Sequence, residues 1–503
     1  MTSLWQLTGP RIPSSPVAEV LPPGGGARFD TVVVGAGITG ITTALLLSRA
    51  GQRVLVLEAR TAGAVTTGNT TGKLSLLQGT VLSEIRSHSG DDALRAYVEA
   101  NREGQAWLLR ELDARGVTVE RRTAYTYATG SEDLERLASE VDAARVAGLG
   151  VDETGEAGLP FAIAGALRLP EQAQLHPMVV LAELAAEMRE RGGALVEHCR
   201  VRGADADEHG IRLETRLGDV TADACVLATG TPVLDRGMFF ARHEPSRSFV
   251  SAYRLSEAAV PEGMHVSVDA PFRSLRSARD AAGDPVLVVG GGAHVTGRGG
   301  DTRRLLEEID DWTRDRFGAA EGVVSWAAQD YRSHSRVPFT GAIPGGRGRI
   351  FAATGYNKWG MTNGVAAALA LTADILGDAP EWARALREHQ HGLEEAGDAL
   401  RANAAVAGRL IGGWGGAEFS GPGAEQLQPG GGGGVMARDG LAPVGVARVD
   451  GRVCRVSGVC THLGGILNWN AAERSWDCPL HGSRFAADGA LLEGPAVDDL
   501  PQR

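Results

Sequence analysis

Four residues near the end of the chain have the types and spacing of a metal centre: Cys460 with His462, and Cys478 with His481. They lie in Cys460-Thr461-His462-Leu463-Gly464-Gly465 and Cys478-Pro479-Leu480-His481-Gly482-Ser483, so each segment brings one thiol, one imidazole and a glycine-bearing turn. Two thiolates on one iron and two imidazoles on the other make the mixed donor set of one kind of [2Fe-2S] cluster. Tetrahedral zinc accepts the same ligand types. Zinc-finger pairs, however, place like ligands together, whereas each segment here supplies one of each. The glycines let two loops close over a cluster without side-chain obstruction.

A second chemistry is written between Phe29 and Glu58. The β-branched run Thr31–Val34 leads into Gly35-Ala36-Gly37-Ile38-Thr39-Gly40, then an apolar helical pattern, then the run Val54–Leu57. This spacing predicts a strand, turn, helix and strand that bind a dinucleotide. Gly35 makes the tight turn, Gly37 admits a pyrophosphate to the backbone, and Gly40 lets the helix lie close on the strand. The phosphates then sit at the positive end of the helix. Glu58 is placed to accept from the adenosine ribose hydroxyls, and an acid there disfavours a 2′-phosphate. The fingerprint alone does not separate FAD from NAD.

Of the 50 Lys and Arg residues only two are lysine, Lys73 and Lys358. An ammonium of tunable pKa is not interchangeable with a guanidinium, which makes both lysines catalytic candidates. Lys73 ends Thr66–Lys73, a segment read as a polar loop too rich in Gly and Thr for a helix. Lys358 lies in Ile350–Gly364, a strand-turn junction ahead of an alanine-rich helix read over 365–376. His176 precedes Pro177 at a helix start and reads as structural. Cys225, in an apolar strand, and Cys454 read as packing residues.

The elements that must position these groups predict several domains. Residues 1–28 read as an extended lead-in, 29–410 as a nucleotide-binding domain with an interleaved substrate domain, 411–434 as a Gly-rich linker, and 435–503 as a separate small domain. Helices are expected over 82–115 and 174–191, and strands over 116–121, 195–201, 211–216 and 220–229. A net charge of -12 argues against nucleic acid or an anionic membrane as partner. The N-terminus lacks a signal-peptide pattern and no apolar run is long enough to span a bilayer, so a cytoplasmic protein is expected. The arginine bias points to a GC-rich bacterial genome.

On VVVGAGITG with Glu58, TTGNTTGK at 66–73, VGGGAHVTG at 289–297, VPFTG at 337–341 and ATGYNKWGMTNG at 353–364, the chain resembles the D-amino acid oxidase and glycine oxidase superfamily of FAD enzymes. It looks most like the bacterial branch that carries an added iron-sulfur domain. The resemblance implies an α/β protein: a Rossmann-like FAD-binding domain, an interleaved α+β substrate domain and a small all-β C-terminal Rieske domain. It implies noncovalent FAD with its ring between the Asn69–Lys73 loop and the Trp359–Asn363 turn. Asn69, Thr70, Thr71, Lys73, Thr229, Gly230, Gly355, Trp359, Gly360, Met361 and Thr362 then join Gly35, Gly37, Ile38, Thr39, Gly40 and Glu58 as cofactor residues. The helix start after Gly360 would face the N1 and C2 carbonyl edge of the flavin. Lys73 or Lys358 would sit near N5 or bind substrate, with the division between them open. Where glycine oxidase-like members place a carboxylate-binding arginine, this chain reads Trp326-Ala327-Ala328-Gln329-Asp330-Tyr331, and Arg336 is the nearest substitute.

The C-terminal segment resembles Rieske ferredoxins, with Cys460, His462, Cys478 and His481 as ligands. Gly465 and Leu480 stand where respiratory Rieske proteins carry a disulfide, and Ser483 is placed to donate toward a cluster sulfur. The expected function is an FAD-dependent oxidoreductase acting on a C–N bond of an amine or modified amino acid, a small amine or amino-acid-like molecule. Its electrons pass to the cluster, and on to a one-electron acceptor, or to O2. The alternative is a flavin and Rieske electron-transfer reductase serving a partner enzyme.

Overall fold

The computed structural model describes residues 1–21, 27–234, 239–256, 259–391, 433–440 and 442–503. The run Thr31–Val34 pairs in parallel with Val54–Leu57 on one side and Val220–Leu227 on the other, so that Val32 lies opposite both Leu55 and Cys225. Continuous apolar runs of this kind suit parallel strands covered on both faces. They form the middle of an eight-stranded sheet ordered Phe339–Ala342, Ile350–Thr354, Val220–Leu227, Arg28–Val34, Val54–Leu57 and Ala194–Val196, with a hairpin of Val201–Ala206 and Ile211–Thr215 attached. Helix Ile38–Arg49 lies on this sheet because two glycines permit it. Gly35 has φ +106, and a Cβ on Gly40 would sit 1.9 Å from the Gly35 carbonyl oxygen.

The second large sheet, where the sequence places a substrate domain, is nine-stranded and mixed, and its longest members are His243–Arg254, Pro285–Val295 and Glu321–Ser333. Lys73–Leu74 forms its far edge, so the segment after the nucleotide fingerprint crosses directly from one domain to the other. The C-terminal domain has an antiparallel three-stranded sheet, Gly433–Asp439, Ala442–Val449 and Arg452–Ser457. A four-stranded sheet follows: Asn468–Asn470, Ser475–Asp477, Arg484–Ala486 and Leu491–Glu493. Its core is Val456, Leu467, Trp476 and Phe485, each fully buried. The two Cys/His segments are the loops that join these strands.

Several elements differ from their sequence expectation. Residues 1–28 are not simply an extended lead-in. Leu4–Thr8 is helical, with Leu4 and Trp5 each 2% exposed, because an apolar pair docks against the loop that follows the fingerprint. Thr66–Asn69 forms a turn of helix, closed by the Gly68 amide donating to the Gly63 carbonyl at 2.9 Å. The helix read from residue 365 begins at Gly360. The strand read over 116–121 runs from Glu120 to Ala128, since Gly116 and Val117 instead close the preceding helix by donating to Asp113 and Leu112. Of the expected linker, 411–432 lies outside the described residues, whereas Gly433 and Gly434 belong to a strand. Among the described residues no helix is long and apolar enough to cross a membrane.

Candidate active site and metal centre

A cavity of about 600 Å³ opens between the two large sheets. Gly35, Gly37, Ile38, Thr39 and Glu58 line one end. The Glu58 carboxylate accepts from the amides of Ala36 at 2.9 Å and Arg60 at 2.8 Å. Burial pushes its pKa up while those two hydrogen bonds oppose the shift. Thr67 Oγ1 takes the Ile38 amide at 3.0 Å, and Thr39 Oγ1 meets Tyr356 OH at 2.9 Å, tying the fingerprint to the turn before Lys358. Gly40 lies behind the cavity wall as a packing residue.

Asn69, Thr70, Thr71 and Lys73 line the next stretch. Their segment is held from outside by its carbonyls: Trp326 Nε1 donates to Asn69 at 2.9 Å, Trp5 Nε1 to Thr70 at 2.6 Å, and Arg276 Nη1 to Thr71 at 2.7 Å. Lys73 is 5% exposed, and its Nζ donates to the His265 carbonyl at 2.6 Å and Ser274 Oγ at 2.7 Å. Burial, assisted by the nearby Arg276 charge, pulls its pKa well below the usual lysine range.

Thr229, Gly230, Trp359, Gly360 and Met361 also reach the cavity. Thr362 stays behind the wall, where its hydroxyl receives Gln78 Nε2 at 3.2 Å, and Gly355 faces His243. Lys358 lines the cavity and is itself exposed. Its Nζ donates to Ser248 Oγ at 3.0 Å and stands 5.3 Å over the Phe272 ring. Burial lowers its pKa to about 8 against the attraction of Asp330. Asp330, raised to about 6 by burial, accepts the amides of Tyr331 and Lys358 and so braces the left-handed turn Asn357-Lys358. The sequence alone assigns Asp330 no role. Its alternation with buried neighbours on a strand was the available signal, but that pattern also fits a solvated acid.

The metal-centre loops repeat one backbone pattern. In the first, the Cys460 amide donates to Gly465 at 2.8 Å and the Gly464 amide to Cys460 at 3.1 Å. In the second, Cys478 donates to Ser483 at 2.8 Å and Gly482 to Cys478 at 3.1 Å, with Gly464 and Gly482 both at positive φ. The Cys460 thiol lies close to the Cys478 thiol and the Ser483 hydroxyl, and the His462 and His481 rings lie 5.2 Å apart. Like ligands from different loops are therefore neighbours, a thiol pair and an imidazole pair, which is the donor chemistry of a two-iron cluster with mixed ligation. A Cβ on Gly465 would stand 3.1 Å from Cys478 Sγ and 2.7 Å from Leu480 Cδ1, so the loops fit together only with glycine there.

The chain matches the family of DAO FAD-dependent oxidoreductases over residues 30–374 and the Rieske [2Fe-2S] domain over 425–502. The chain belongs to the DAO family of FAD-dependent oxidoreductases. Its C-terminal unit is a Rieske domain, and the cofactors of the two are FAD and a [2Fe-2S] cluster. A Bacillus subtilis relative named as the Rieske 2Fe-2S iron-sulfur protein YhfW is 30% identical over 484 residues, covering 94% of this chain and 93% of its own. The DAO part shares its fold with glycine oxidase from Geobacillus kaustophilus, at TM-score 0.58 and 20% identity over 70% of this chain and 96% of that one. L-proline dehydrogenase from P. horikoshii is comparable, at TM-score 0.59 and 17% identity over 70% and 95%.

Proposed function

We propose that this oxidoreductase removes a hydride equivalent from the C–N carbon of a small amine or amino-acid-like molecule and sends the electrons onward through its Rieske domain. The observation that carries this reading is a shared wall: Leu492, Glu493 and Gly494 of the Rieske domain line the same cavity as the nucleotide fingerprint and both lysines. When bound, FAD supplies a two-electron acceptor, and the cluster, held by Cys460, Cys478, His462 and His481, takes one electron at a time.

The chain's own groups have distinct tasks in this reading. Glu58 receives the ribose hydroxyls, and the amides at the start of helix Ile38–Arg49 receive the pyrophosphate. Lys358, cationic below about pH 8, holds a substrate carboxylate, with Asp330 fixing its turn. Lys73, held by the His265 carbonyl and Ser274 Oγ on the same cavity wall, is the group placed to take a proton from a substrate ammonium, which must be neutral before hydride leaves.

An anaerobic stopped-flow experiment tests the reading, with a panel of amines and amino acids and flavin and cluster absorbance followed separately. Flavin bleaching by one member, with the cluster signal following, is the expected result. Reduction by NADH alone would replace this reading with that of a reductase serving a partner. Bleaching of the flavin with no response from the cluster would leave O2 as the acceptor.

A further inference from the structure

The two ligand loops have unlike surroundings. The first ends at the surface, where Thr461 is exposed, His462 half-buried and Leu463 43% exposed. The second is buried and pressed into the substrate sheet. Arg298 Nε donates to the Pro479 carbonyl at 2.8 Å, a Cβ on Gly297 would sit 2.7 Å from Pro479 N, and His481 is 4% exposed.

Gln329 is the residue that joins this loop to the cavity. It is 1% exposed, and every polar group of its side chain is used. Oε1 accepts from Thr296 Oγ1 at 2.8 Å, while Nε2 donates to Tyr331 OH at 2.9 Å and to the Gly482 carbonyl at 2.9 Å. Gly482 is bonded covalently to His481. On the other side, the Gln329 backbone carbonyl accepts from Thr66 Oγ1 at 2.7 Å, and both Thr66 and Tyr331 line the cavity. A methionine of similar volume would fill the space and hold nothing in register, whereas the Thr296 hydroxyl orients this amide with its N–H toward Gly482.

We propose that Gln329 is a positioning residue for electron transfer, holding the His481 loop against the cavity wall so that electrons from the flavin enter the cluster on its His481 side. This rests on the reading that electrons pass from flavin to cluster. Each transfer removes one electron from reduced flavin and turns one ferric ion of the cluster ferrous. A one-electron acceptor reoxidises the cluster between transfers, and the protons of the reduced flavin go to solvent.

The test needs no substrate. In the holoenzyme, without oxygen, bound flavin is reduced by a light flash with EDTA as donor, and flavin and cluster absorbance are followed in wild type, Gln329→Met, Thr296→Val and the surface variant Val453→Ala. Gln329→Met is expected to keep its FAD and cluster content, to slow the flavin-to-cluster step by about tenfold or more, and to raise amide deuterium exchange in the peptide spanning 478–483. Thr296→Val slows the step less, and Val453→Ala leaves it unchanged. Wild-type transfer and exchange in Gln329→Met would overturn the proposal. If that variant does not fold, a wild-type rate in Thr296→Val does the same. A wild-type cluster that never responds to reduced flavin would remove the underlying reading as well, and so is told apart from a failure at Gln329 alone.

Discussion

Arg247 of the substrate sheet and Glu493 of the Rieske domain meet across the domain boundary, Nη1 to Oε1 at 3.1 Å, with side chains 2% and 8% exposed. Arg247 also pairs with Glu473, and Arg484 closes the group by binding Glu473, Glu493 and Asp477. Removing one member of such a buried group leaves charge uncompensated, at a cost of about 3–5 kcal/mol. Arg247→Met is therefore expected to loosen the Rieske domain, seen as a lower denaturant midpoint when unfolding is followed by cluster absorbance.

The same group makes docking sensitive to acid. Burial opposes ionisation of Glu473, but the charges of Arg247 and Arg484 prevail and hold its pKa down to about 2, and Glu493 is lowered too. An unfolded glutamate titrates near ~4.3. The stabilisation is fully present above that value and is lost as pH falls from there through about 2. Tryptophan fluorescence across this range should show the loss in wild type and a weaker pH dependence in Arg247→Met.

Lys358 and Asp330 bound the working pH from both sides. With pKa values of about 8 and about 6, the ammonium and the carboxylate coexist between those values. For a carboxylate-bearing substrate, kcat/KM should be highest in that window. It should fall above it as Lys358 loses its proton and below it as Asp330 gains one. Lys358→Met removes a charged hydrogen bond worth about 1.5–3 kcal/mol, a loss of roughly 10- to 100-fold in kcat/KM, and Asp330→Asn should abolish the acidic limb.

Glu58→Gln tests the nucleotide end. The amide retains one acceptor for the Ala36 and Arg60 amides but turns an N–H toward the other. The ribose hydroxyls also lose a charged acceptor, a hydrogen bond worth about 1.5–3 kcal/mol, so FAD affinity should fall by roughly 10- to 100-fold, measured by release of flavin fluorescence on dilution.

The parts legible in sequence were those whose chemistry depends on backbone shape. Gly35, Gly40, Gly464 and Gly482 sit where positive φ or a close approach demands glycine, and that demand is visible as spacing. What escaped was set by contacts between distant segments. Arg247 and Arg276 look like ordinary surface charges until partners 226 and 205 residues away bury them. Trp5 looks like part of an irregular leader until its indole meets Thr70. Gln329 was read only as a departure from a familiar pattern, because its role belongs to the neighbouring domain.

The strip Leu492–Gly494 gives the tail a standing that a detachable appendage would lack. Trimming the chain after residue 391 would not leave a simpler flavoenzyme. It would remove part of the cavity wall, strip Arg247 of Glu473 and Glu493, and take from Gln329 and Arg298 their partners Gly482 and Pro479. A substitution at this seam in one half therefore acts on contacts made by the other, so the tail and the cavity wall answer to the same changes.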